Sequence, residues 1–129
     1  MKKIFLTILF LFYCAYPFRG HAERAEFVSG FEDLPLMPGL QEHDDTGVSF
    51  DTPGGRIIEA YAETSKLTAK DIFSFYAKTL PQLGWRRTSE RKKGVSHEKY
   101  ERDGEILDIS VEDGSPVIVR FELTTDGQP

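Results

Sequence analysis

The chain has 129 residues, with 16 Lys+Arg against 21 Asp+Glu and a formal charge of −5. That length suits one domain with a modest core, and the acidic balance is a poor match for general nucleic-acid binding, which needs Lys and Arg to displace counterions. Cys14 is the only cysteine and asparagine is absent, so neither an internal disulfide nor an N-glycosylation acceptor is available.

Lys2 and Lys3, the apolar run 4–16 and the small residues Gly20 and Ala22 follow the three-part plan of a secretory signal cut after Ala22. The run is short of the roughly 20 residues that a spanning helix needs. Two other readings compete. One is a retained anchor through 4–16, helped by tilt or a thin membrane. The other is lipidation at Cys14, which the bulky Tyr13 before it disfavours. Cleavage removes Lys2, Lys3 and Arg19 but no carboxylate, so the charge of −5 becomes −8. The expected location is the periplasm.

Residues 23–46 hold no sustained period and are punctuated by Gly30, Pro35, Pro38 and Gly39, which predicts an extended arm. The arm is nevertheless rich in apolar residues: Phe27, Phe31, Leu34, Leu36, Met37 and Leu40. A flexible linker has no reason to be so apolar. Either it packs back over the domain, or Phe31, Leu34, Leu36, Met37 and Leu40 contact a partner or a membrane surface.

A hairpin follows, with strands at 48–51 and 56–63 around the turn residues 52–55. In the second strand Ile58, Ala60 and Ala62 share one face. Thr68 and Asp71 are spaced to cap a helix reciprocally. Ile72, Phe73, Phe75, Tyr76, Leu80 and Leu83 then gather on one broad stripe, as on a helix packed against a sheet. Pro81 lies opposite and forces a bend or an end. Gly84 is placed to take a left-handed stop, with Trp85 folding back.

After Trp85 the period becomes two. Strands are predicted at 84–90 and 95–102 around a turn at 91–94. Asp103-Gly104 signals a tight hairpin into 105–112, and a second Asp-Gly pair precedes 115–124. Leu107, Ile109 and Val111 fall on one face, as do Val119, Phe121 and Leu123. The expected fold is α+β in the order ββαββββ, one helix laid across an antiparallel sheet with one solvated side. The expected divisions are a signal at 1–22, an arm at 23–46, the domain at 47–124 and a tail at 125–129.

At 33–40 ("DLPLMPGL"), 50–63 ("FDTPGGRIIEAYAE") and 75–85 ("FYAKTLPQLGW") the chain resembles a family of small exported proteins of Gram-negative bacteria of unknown function. The likeness runs from Asp33 into the last strands, and its most specific part is the helix end Leu-Pro-x-Leu-Gly-Trp. It implies export and a small α+β fold, and neither an activity nor catalytic residues.

The residues themselves assemble no catalytic motif. There is no Gly-x-Ser-x-Gly, no His-Glu-x-x-His and no phosphate-binding glycine loop, and the histidines after the signal are His43 and His97 alone. Glu98 beside His97 would point to the opposite face of a strand. Residues 42–45, "EHDD", lack the six or more spaced oxygens of a calcium loop. No cofactor or metal is therefore expected. Arg86, Arg87, Arg91, Lys92 and Lys93 cluster at one corner. They either approach anionic lipid headgroups or are a solvated hairpin tip guarding a sheet edge. The expected function is a non-enzymatic envelope module that contacts another envelope component through its apolar N-terminal arm or the open sheet face. The alternative is a carrier of a small apolar ligand held among Phe73, Phe75, Tyr76, Trp85 and Phe121 between helix and sheet.

Overall fold

In a computed structural model, which describes residues 26–43, 48–88 and 96–126, one helix packs against an antiparallel sheet. The strands are β1 (Gln41–Glu42), β2 (Val48–Thr52), β3 (Gly55–Thr64), β4 (Arg86–Arg87), β5 (His97–Arg102), β6 (Glu105–Glu112) and β7 (Val117–Asp126). The helix α1 (Ala69–Thr79) stands between β3 and β4. The ββαββββ order is present, with the two-residue β1 added ahead of it. The proposed signal, including Cys14 and the 4–16 run, lies outside the described residues.

Sheet order is β1-β3-β7-β6-β5-β4, and β2 also pairs with β3. The last four strands form the meander, and β7 closes the sheet by running beside β3 over ten residue pairs. β1 and β2 occupy consecutive stretches of the same edge of β3: Gln41 faces Glu63, and Val48 faces Glu59. Asp103 (φ 48°) and Gly104 (φ 76°) both adopt the left-handed conformation that a two-residue hairpin matched to strand twist requires.

The helix begins as its sequence predicts. The Thr68 hydroxyl accepts from the Asp71 N–H at 3.2 Å, and the Asp71 carboxylate accepts from the Thr68 N–H at 3.0 Å. It ends in a 3-10 turn, Leu80–Leu83, where Pro81 removes a donor without cost to the first turn. Gly84 has φ 89°; its N–H donates to Pro81 O at 3.2 Å and the Trp85 N–H donates to Leu80 O at 3.0 Å. These two bonds make a Schellman stop. Trp85 is buried, as this corner requires.

The core lies between helix and sheet. Ile72, Phe73, Tyr76 and Leu80 meet Ala60, Leu107, Ile109, Val119 and Phe121 in one apolar cluster. The Tyr76 and Phe121 rings meet edge-on at 5.5 Å. Each large side chain buried this way contributes about 1.5–3 kcal/mol.

Residues 26–43 are not an extended arm. They fold into a loop: the Val28 N–H donates to Leu34 O and the Leu36 N–H to Glu26 O, closing a bridge between Phe27 and Pro35. Val28, Phe31, Leu34 and Leu40 are buried in the same core cluster as the helix. The Tyr76 hydroxyl, fully buried, donates to Pro35 O at 2.8 Å and accepts the Met37 N–H at 3.2 Å. Burial pushes the Tyr76 phenol pKa up. The domain therefore begins well before residue 47, and β7 carries it past 124, into the expected tail.

Candidate functional site

Of the two surfaces expected to make contact, the arm and the open sheet face, the arm has most of its apolar residues buried. Phe31, Leu34 and Leu40 are core residues, and Leu36 and Met37 pack partly buried against that core. Only Phe27 stands out from the loop, 50 % exposed. A side chain already buried in its own domain offers a partner no surface without unfolding.

Exposed apolar side chains concentrate instead on the outer face of the sheet. Val48 and Phe50 on β2 and Ile106 on β6 are exposed, Phe50 at 55 %. The pairing register aligns Phe50 with Ile57, Ile57 with Thr124, and Thr124 with Ile106. Directly opposed residues share a face, so Phe50, Ile57, Thr124 and Ile106 form one row across four strands, apolar but for Thr124. Next to it the face is polar and ordered. Arg120 bridges Glu59, at 2.6 Å, and Glu122, and the Tyr61 hydroxyl also donates to Glu59. The Tyr61 bond and then Arg120 hold the Glu59 carboxyl below its ordinary range, while the same bond raises Tyr61.

β2 is also an edge. Its backbone pairs with β3 alone among the described residues, and all five of its residues are exposed. The strand reads Val-Ser-Phe-Asp-Thr, without the Lys or Pro that natural edges use against pairing.

The basic corner is only partly described. Arg86 and Arg87 are exposed on β4, the opposite edge. Arg91, Lys92 and Lys93 lie outside the described residues. Both described arginines face carboxylates: Arg86 is 3.3 Å from Glu101 and Arg87 is 3.8 Å from Glu98. Glu98 is buried, and it accepts from the Tyr100 hydroxyl at 3.0 Å. The sequence held the signal for this burial, since Glu98 shares the parity of Tyr100 on β5, although its charge argued the other way.

The histidines do not converge. His43 follows β1 and lies 3.1 Å from Glu63, whereas His97 starts β5 and is exposed. Strand order sets them four strand spacings apart, about 19 Å. Glu42 accepts from the Ser29 N–H and hydroxyl, at 2.8 and 3.0 Å. Asp44 and Asp45 of the acidic segment lie outside the described residues. Among the described residues no group of His, Cys, Asp and Glu could hold a metal, and no helix is long and apolar enough to cross a membrane.

Of the five aromatics proposed to line a cavity, Phe75, Tyr76 and Phe121 pack on one another, and Phe73 and Trp85 are buried. Phe75 meets Tyr76 edge-on at 5.0 Å, and Tyr76 meets Phe121. Phe31 from the loop, which sequence reasoning did not assign to this group, closes on Phe121 at 6.5 Å.

The fold and these surfaces define a small α+β domain whose edge strand β2 pairs with β3 alone among the described residues. No family model, no curated protein and no solved structure matches the chain.

Proposed function

We propose that this protein is an exported, non-enzymatic module that contacts another envelope protein, and that it does so by taking an extended segment of that partner onto β2. What supports the reading is the edge itself. Phe50 stands 55 % exposed on a five-residue strand whose outer backbone groups have no partner among the described residues. Such an edge supplies main-chain hydrogen bonds, and alternate side chains give specificity, the physics of strand addition. Phe50 and the Ile57–Ile106 row beside it offer apolar anchors on the outer face. The two lysines, apolar run and small residues of the first 22 positions support export to the periplasm.

A photo-crosslinking residue at position 50, compared with one at exposed Gln82 on the helix side, tests this in cells. The expected result is a defined protein adduct from position 50, absent from position 82 and lost when Val48 is also changed to Asp. No adduct, or the same adducts from both positions, would refute the contact. The intact mass of the periplasmic form, expected to begin at Glu23, tests the export reading separately.

A further inference from the structure

At the open end of the core a cleft of about 190 Å³ lies between residues 30–34 of the loop, Trp85 and the sheet. At about 30 Å³ per water, it has room for about six waters or one small organic molecule. Its floor is apolar, made by Ile58, Leu123 and Leu107, which sit side by side on three strands. One step further along the same face the row turns polar: Arg56, Thr125, Glu105 and Arg102 are successive cross-strand neighbours.

The charges in this row are in two different states. Arg102 is fully engaged. It donates to both Asp33 oxygens, at 2.6 and 3.0 Å, and to Leu83 O at 3.0 Å, and its guanidinium lies 4.3 Å over the Trp85 ring. Its bonds hold the Asp33 carboxyl below its usual range. Glu105, by contrast, makes no hydrogen bond or ion pair among the described residues. Arg56 is held only loosely, through Nε, 3.5 Å from Ser49 Oγ and 3.9 Å from Asp51. Trp85 lines the cleft with a side chain only 5 % exposed, and its indole N–H is buried with no acceptor among the described residues.

We infer that this cleft binds a small zwitterion, such as a free amino acid or a dipeptide. The ligand carboxylate accepts from Arg56, its ammonium donates to Glu105 and Glu32, and any apolar side chain rests on Ile58, Leu107 and Leu123. The balance of charge selects the class. Arg56 is a loosely held cation, and Glu105 and Glu32 are lining carboxylates with no hydrogen bond or ion pair among the described residues, so a simple anion meets the carboxylates and a simple cation meets Arg56. Only a molecule carrying both charges satisfies the two together. This differs from the apolar carrier expected from sequence: the cleft sits at the end of the core rather than among its aromatics, and its walls are charged.

Trp85 is the only tryptophan in the chain, so its emission reports on the cleft directly. The test titrates the protein with L-alanine, L-leucine and glycylglycine, and with propionate and ethylammonium, which each keep one of alanine's charges. Emission and isothermal calorimetry are read together up to about 10 mM, since weak binding here falls near a millimolar constant. At least one zwitterion is expected to saturate, with propionate and ethylammonium at least tenfold weaker. Glu105→Gln and Arg56→Gln are each expected to weaken it about tenfold or more, as loss of a charged hydrogen bond does. Circular dichroism checks that both variants fold. Silence with all three zwitterions, equal binding of propionate or ethylammonium, or zwitterion binding unaffected by either substitution overturns the inference. None of these outcomes bears on crosslinking from position 50.

Discussion

Replacing Tyr76 by phenylalanine removes one oxygen and leaves the ring where it is, edge-on to Phe75 and Phe121. That oxygen is the only atom of the helix that both donates to and accepts from the 26–43 loop among the described residues, through Pro35 O and the Met37 N–H. Each such bond is worth about 0.5–1.5 kcal/mol net, and about 1–3 kcal/mol where its former partner is left buried and dry. Pro35 and Met37 are half-buried, so water can reach them after some adjustment and the lower part of the range applies. The expected loss is about 2 kcal/mol, a sizeable share of the 5–15 kcal/mol typical of a domain. Urea unfolding followed by Trp85 emission measures it, and a fall in Tm of about 8–16 °C should accompany it. Hydrogen exchange at the Met37 amide should accelerate at the same time. A loss below about 0.5 kcal/mol, with Met37 exchange unchanged, would refute the claim that this hydroxyl straps the loop to the helix.

Gly84→Ala should cost about 1–2 kcal/mol, the penalty of a left-handed L-residue. The added Cβ would meet only Arg102 Cδ, at 3.5 Å, an ordinary contact, so the backbone alone sets the cost. Gly104→Ala, with nothing within 4 Å of its Cβ, should therefore cost a similar amount in the same urea assay; a large difference between the two would refute the backbone account. Asp33→Asn should flatten acid destabilisation. The folded Asp33 pKa is depressed, chiefly by the Arg102 hydrogen bonds, so its stabilisation is full above the unfolded value near 4 and fades as pH falls through the lower folded value. With Asp33 45 % exposed, solvent screening keeps this below about 1 kcal/mol. Matching urea midpoints for variant and wild type at every pH from neutral to acid would show that Asp33 carries none of it.

Much of the fold is legible because it obeys short-range rules. A capping box spans four residues, and Thr68 and Asp71 carry theirs within that span. Gly84 and Trp85 stop the helix through bonds that reach back no further than Leu80. The alternation in β6 and β7 identifies the buried face because side chains in a strand alternate strictly. The loop at 26–43 is harder to read for the same reason in reverse. Its turns break every period, so its apolar residues announce burial or contact without saying which, and only the helix and Phe121 supply the answer.

The sequence by itself determined the helix with both its ends, the meander and the face that β3, β6 and β7 bury, since each depends on residues a few positions apart. Tertiary structure decided what becomes of the surfaces. It closed β7 on β3, turned β2 into an exposed edge and tied Asp33 to Arg102, 69 residues along the chain. That same closure drew Arg56, Thr125, Glu105 and Arg102 into one row beside Trp85. Those juxtapositions follow from register between distant strands, which no local period encodes, because register is set only when the whole apolar face is buried at once.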